Sequence, residues 1–215
     1  DGDDLVAGDH RLLGRGHAEH LVPMIAALPD RGKADRILVS LGPGSFTGVR
    51  IGIAVAGSLA VAWGSEVRGY PTLSLVAAMA CAKSGIDGVT VCMAGGHGEW
   101  FLCDFDHNGL PQGPVRSLAP EVAARTALHP LVAGSQAEAL VARRGHGTAL
   151  ALLPDARHAP GIPDALHSPD LKTKHDILAN ALDLLRALGI TQPKAAIVAA
   201  VETLNPAIPA TLDAQ

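Results

Sequence analysis

The chain reads as an α/β protein, a mixed sheet flanked by helices. Three observations lead there. Short β-branched runs (Arg36–Leu41, Val67–Pro71, Val89–Met93, Pro130–Ala133) alternate with longer stretches of helical spacing. Val89–Met93 and Glu99–Phe105 are separated only by a turn at Gly95-Gly96-His97-Gly98, so the second strand returns beside the first. The composition is 48% hydrophobic but only 3% aromatic, which makes the core one of small aliphatic side chains.

Taken in order, Asp1–Asp4 resemble a hairpin tip whose first strand is absent, with Leu5 beginning the second strand. Arg15–His20 leads into a helix with Leu21, Met24, Ile25 and Leu28 on one face. Arg36–Leu41 is a buried strand, and a helix from about Val49 to Trp63 follows a glycine-rich turn. Val67–Pro71 is a strand, and Thr72 or Ser74 starts a helix that ends near Lys83. Beyond the pair 89–93 and 99–105, Asn108-Gly109 marks a turn. Pro120–Ala127 is a short helix, Pro130–Ala133 a strand, and Gln136–Arg143 a helix. Prolines at 154, 160, 163 and 169 in a stretch without periodicity read as a linker or loop. After it, Thr173 and Asp176 open a capped helix that runs to Leu188 and stops at Gly189. Ala195–Val201 is a strand, and Glu202 at its C-terminal end is a weak ligand candidate beside a capping or surface role.

The stretch Leu41–Gly52 organises the rest. Strand, glycine-rich turn and helix together point backbone N–H groups at whatever lies above the turn. Gly42, Gly44, Ser45, Thr47 and Arg50 are the residues of that turn, with Thr47 as the expected N-cap. The motif is not a Walker A loop, because no Lys-Ser/Thr pair follows the glycines. Nor is it the dinucleotide fingerprint, since Thr47 stands where the third Gly or Ala belongs. Ser45 is flanked by Pro43 and Thr47, which excludes a nucleophile elbow. A structural turn that caps a buried helix is the favoured reading over a phosphate cradle. In the helix, Gly48, Gly52, Ala56 and Ala60 recur every fourth residue and form one smooth ridge. Such a ridge admits another helix at close range, either from this chain or from a partner.

The net charge is −4, which leaves no electrostatic footprint for strong direct binding of nucleic acid. Cys81, Cys92 and Cys103 are odd in number and lack the close pairing of zinc or redox motifs, as expected in a reducing cytosol. The uncharged segment Ile51–Ser65 is too short and too glycine-rich to span a bilayer, and no signal peptide is visible. His10, His17 and His20 lack a carboxylate at matching spacing, so no metal or cofactor is expected there.

Gly42–Gly52, preceded by His17-Ala18-Glu19-His20-Leu21-Val22-Pro23-Met24-Ile25 and followed by Pro71-Thr72-Leu73, resembles the bacterial TsaB (YeaZ) family over about residues 1–166. The resemblance implies an actin/Hsp70-like (ASKHA) fold, here without the family's first strand and its Asp-Thr-Ser turn. It further implies a noncatalytic role in making threonylcarbamoyladenosine in tRNA. The partners implied are the threonylcarbamoyltransferase TsaD, bound through a helix-rich face, and the ATPase TsaE. Met93–Glu99 departs from the family's usual Asp-Ala-Arg-Arg-Gly-Glu, and with the missing strand this argues against nucleotide binding. Pro169–Leu178 and Pro193–Ala214 resemble instead a fragment of phosphate acetyl/butyryltransferases, enzymes that move an acyl group between coenzyme A and phosphate.

The expected organisation is therefore a TsaB-like region at 1–166 and an acyltransferase-like helix-strand fragment at 167–215, joined as a composite chain. The leading function is a partner protein of the tRNA-modifying complex, with Gly48, Gly52, Ala56 and Ala60 as the partner-binding face and a homodimer through the same helix as a variant. The alternatives are a phosphate acyltransferase and an inactive composite.

Overall fold

In the computed structural model of the chain, the residues described are 5–11, 17–83 and 87–163. The chain divides into two compact units, Asp1–Ser168 and Pro169–Gln215, and the described residues all belong to the first. The expected helix at 173–188, the strand at 195–201, Glu202 and the fragment 167–215 lie outside the described residues.

The described part is a mixed α/β structure. Strand β1 (Arg36–Ser40) pairs in parallel with β2 (Glu66–Tyr70), from Arg36 opposite Glu66 to Ser40 opposite Tyr70. Between them runs α2 (Phe46–Trp63), the crossover that a parallel pair requires. At the start of the pair the Glu66 carboxylate meets Arg68 at 2.7 Å and Arg36 at 3.0 Å. Those two guanidinium hydrogen bonds, Arg68 first, hold its pKa below the ordinary carboxylate value. Before the pair lies α1 (His17–Ala26), whose Leu21, Met24 and Ile25 are half-buried, as is Leu28 just beyond it, while Val22 is exposed.

The second sheet has five strands in the order β5 (Arg116–Leu118), β4 (Trp100–Asp106), β3 (Gly88–Ala94), β6 (Leu131–Ala133) and β7 (Thr148–Leu150). β3 and β4 form an antiparallel hairpin from Gly88 opposite Asp106 to Ala94 opposite Trp100, whereas β6 and β7 join in parallel. The parallel additions are made possible by α4 (Pro120–Thr126) before β6 and α5 (Ala137–Arg144) before β7.

The helix α3 (Thr72–Lys83) is the hub. Leu73, Leu75, Val76, Ala77, Met79 and Ala80 are all buried, so the helix is enclosed on every side, as its apolar residues all round require. Tyr70, Val89, Val91, Phe105 and Ala133 pack around it from both sheets. Buried Thr72 is satisfied twice: its hydroxyl lies 2.7 Å from that of Ser40, and its N–H donates to the Gly42 carbonyl at 2.8 Å.

The strands and helices expected from the pattern are present within a residue or three of their expected bounds. Four expectations need correcting. Residues 5–11 form no strand, and Leu5 (61% exposed) and Val6 (87%) face solvent. Among the described strands β1 pairs with β2 alone, so this segment gains no ladder hydrogen bonds. The N-cap of α2 is Ser45 rather than Thr47: its Oγ accepts from the Gly48 N–H at 3.4 Å, and the helix begins at Phe46. That earlier start makes α2 eighteen residues long, and by length and composition it is apolar enough to cross a membrane. Finally, the proline-rich stretch is not a loose linker over residues 154–163. Asp155 caps a 3₁₀ turn, Ala156–Gly161, by accepting from the Arg157 N–H at 3.0 Å, and Ala159 and Ile162 enter the core with α3. β5 and β7 were not expected, because three residues are too few to display a period of two.

The two long apolar helices should respond differently to truncation. Leu73→Ala, in a fully buried site, should cost about 3 kcal/mol in chemical denaturation. Val61→Ala, 88% exposed on α2, should change stability by less than about 0.5 kcal/mol. Equal costs would mean that α2 is as deeply packed as α3.

Candidate functional site

The glycine-rich turn leaves β1 through Leu41, whose N–H donates to the Tyr70 carbonyl at 2.9 Å. Gly42 follows at φ +91°, a conformation open to glycine, with a cis bond to Pro43. Its N–H is directed at the Ser40 hydroxyl (3.3 Å) and its carbonyl accepts from Thr72. The polar groups of Gly42 therefore tie β1 to α3. Gly44 lies against Val49, close enough that a Cβ would sit 3.4 Å from its methyl group. Of the free N–H groups at the start of α2, that of Gly48 goes to the Ser45 hydroxyl, and the Val49 N–H then makes the first intrahelical bond, to the Ser45 carbonyl at 3.0 Å. Thr47 is exposed, and the Arg50 guanidinium lies over the Phe46 ring, 3.5 Å from its centre. Ser45 in the turn caps α2, but that helix is largely exposed and not buried as expected.

The ridge on α2 is divided. Gly52 faces β1, where a Cβ would meet a Val39 methyl at 3.7 Å, and Ala56 is buried. Gly48 and Ala60, the two ends of the ridge, are half-buried. The small residues thus let α2 lie close on its own strand. The opposite side of the helix carries Phe46 (68% exposed), Thr47, Gly57, Ser58, Val61 and Ala62, with Arg50, stacked on Phe46, as its one charged residue. Ile53 and Ala56 are the buried residues of α2, which leaves an apolar helix largely uncovered within this unit.

Two polar features escaped the sequence reading. Asp104, 5% exposed on β4, accepts from the Thr90 hydroxyl at 2.5 Å and the Leu128 N–H at 3.1 Å through Oδ1. Its Oδ2 takes Arg116 Nη2 at 2.7 Å. Both carboxylate oxygens are occupied, so Asp104 is an anchor for the chain entering β6 and not a free base. The second is a groove of about 730 Å³ between α4 and α5, lined by Arg125, Arg143, Arg144 and His146. Its arginines are scattered over 20 residues of sequence, and an overall negative charge hides them. Asp104 offered a faint signal, as a carboxylate at an inward position of a strand that is otherwise apolar up to its last residue, Asp106.

No group of three or more His, Cys, Asp or Glu side chains suited to a metal occurs among the described residues. His10 and His20 are exposed, and the His17 side chain lies outside the described residues. The cysteines are free thiols. Burial pushes Cys92 up to about 12, and burial, reinforced by the Asp104 charge, pushes Cys103 up to about 11. Both remain protonated at neutral pH and are packed as small hydrophobes.

Comparison with known proteins places this geometry. The family model of TsaD, tRNA N6-adenosine threonylcarbamoyltransferase, matches residues 11–112. The tRNA threonylcarbamoyladenosine biosynthesis protein TsaB of Escherichia coli (strain K12) is 32% identical over 129 residues, 56% of this chain and 56% of that protein. YeaZ from Pseudomonas aeruginosa superposes with a TM-score of 0.56 at 26% identity, covering 81% of this chain and 80% of that one. A second structure, described as an uncharacterized protein with similarity to peptidase YEAZ from the same organism, gives 0.59 at 26% identity over 83% and 81%. The chain is similar in sequence and in fold to the TsaB/YeaZ proteins. Its fold is the mixed-sheet, ASKHA-like arrangement of those neighbours. Separately, 46 residues are 50% identical to the phosphate acetyltransferase of Rhizobium meliloti, 21% of this chain but only 15% of the enzyme. The chain spans about half the length of the curated TsaB relative and a small part of the acyltransferase.

The thiols offer a direct check on the packing. In iodoacetamide at pH 8 the native protein should leave Cys92 and Cys103 unmodified while half-buried Cys81 reacts slowly, and denaturant should expose all three. Rapid native labelling of Cys92 would contradict its burial.

Proposed function

We propose that this TsaB/YeaZ homologue is a noncatalytic component of tRNA threonylcarbamoyladenosine modification, acting in the cytoplasm by holding a TsaD-type threonylcarbamoyltransferase. The observation that carries the reading is the uncovered apolar side of α2, in a chain whose residues 11–112 also match the TsaD family model. A relative of similar fold presents a similar helix, and two such helices pack face to face as related subunits do. Gly57 and Ser58 keep that surface low, so a facing helix can approach closely. Phe46 and Val61 supply the exposed apolar area at its two ends. The ridge contributes from beneath and from the rim: Gly52 and Ala56 seat α2 on β1, and Gly48 and Ala60 border the outer surface. A TsaE-type ATPase completes the proposed assembly. Pairing of two copies of this chain through the same surface is the competing occupant. This proposal gives the glycine-rich turn no substrate role; the polar groups of Gly42 and the Gly48 N–H bond within the chain.

The test is co-purification of the full chain with a TsaD-type enzyme. Val61→Asp should weaken capture about tenfold or more by placing a charge in the apolar contact, with no change in the thermal melt. Gly52→Leu should lower the melt as well, because its side chain would press on Val39. Undiminished capture by Val61→Asp removes α2 as the interface. A concentration-dependent dimer that Val61→Asp dissolves, with no enzyme captured, would assign the surface to self-association.

A further inference from the structure

The groove between α4 and α5 is a different kind of surface from α2. Arg125 comes from α4, Arg143 and Arg144 from the end of α5, and His146 from the turn before β7. Leu128, 68% exposed, with Ala124, Ala127 and Pro130 forms its apolar lining.

The cations are placed with unequal compensation. Arg143 donates to Glu121 at 2.7 Å, and its guanidinium lies 5.6 Å from the Trp100 ring centre. Arg144 is held only by carbonyls: Nε to His146 (3.1 Å), Nη1 to His129 (2.9 Å) and Nη2 to Pro130 (3.0 Å). Three of its five N–H donors are used, and among the described residues no carboxylate neutralises it. Gly147, at φ +107°, makes room for this clamp, since a Cβ there would collide with Nη2. Arg125 is exposed and makes no hydrogen bond or ion pair among the described residues. Among the described residues lining the groove Glu121 is the only acidic one, against three arginines, so the site carries a local excess of positive charge within a chain of net charge −4. The rim is also rigid, because the Leu128 and His129 N–H groups are fixed by Asp104 and Thr90.

We propose that this groove holds the phosphate backbone of RNA. Charges spread over two helices and a turn suit a run of phosphates better than one compact anion, which needs donors converging on a point. The apolar lining beside them suits the sugar and base faces between phosphates. The choice of RNA among polyanions rests on the proposed role of the chain in tRNA modification. The contact is local and sequence-independent, a supporting hold on a substrate that the partner enzyme would also grip.

The experiment is binding of fluorescently labelled bulk tRNA to the full chain, followed by anisotropy from 25 to 200 mM NaCl. The expected affinity at low salt is weak, on the order of 10⁻⁵ M, with a log–log salt slope of about −2 to −3. Arg125→Glu should weaken binding about three- to tenfold and shrink the slope by about one, while leaving the melt and capture of the TsaD-type partner unchanged. Glu121→Gln, which removes the one carboxylate and frees Arg143, should tighten binding. This opposite effect is one that a merely structural arginine would not produce. The proposal is overturned by undetectable binding at 25 mM salt, or by both variants binding as the parent does. It is also overturned if inorganic phosphate displaces tRNA far more effectively than NaCl of equal ionic strength, which would make the groove a compact-anion site. Failure of partner capture with the tRNA pattern intact removes the partner reading and leaves the groove; the reverse removes only the groove.

Discussion

The described structure depends on the enclosure of α3. A helix that is apolar on every face cannot sit on a surface, and this one is covered by β1 and β2 from one direction, the five-stranded sheet from another and the Ala156–Gly161 turn from a third. Its alanines keep it thin enough for that crowding. Its first residue is the delicate point, because Thr72 brings a hydroxyl and an N–H into the interior. Ser40 and Gly42 satisfy both, so the end of β1, the glycine-rich turn and the start of α3 form one hydrogen-bonded junction.

That junction gives the glycine-rich turn a structural task. The backbone groups of Gly42 that a ligand would need are committed to Ser40 and Thr72, and the opening of α2 is capped by Ser45. The turn's product is a placed helix. Its small residues at 52 and 56 settle α2 onto β1, and this leaves a mostly apolar surface pointing outward, with Arg50 stacked on Phe46 as its one charge. An enclosed helix and an uncovered one thus lie in succession on the same chain, with different consequences: one builds the core, the other offers a surface.

Much of the fold was legible in sequence because its signals are local. β-branched runs, Gly95–Gly98 between two strands, and Pro120 at a helix start each act within a few residues. The misses share a cause. β5 and β7 are too short for a period, residues 5–11 read as a strand but have no described strand to pair with, and the proline-rich stretch conceals the two side chains that reach the core. The small-residue ridge of α2 was visible as a pattern, but a period of four cannot say which side of the helix meets β1.

By itself the sequence determined the class of fold, the position of most helices and strands and the resemblance to TsaB, since all of these reside in short-range order and spacing. Only the tertiary structure decided which face of α2 is covered, that Asp104 is spent on anchoring, and that Arg125, Arg143 and Arg144 meet across a groove. The physical reason is that burial, hydrogen-bond satisfaction and local charge density are properties of neighbours in space. In an acidic chain a basic site exists only after folding brings its cations together.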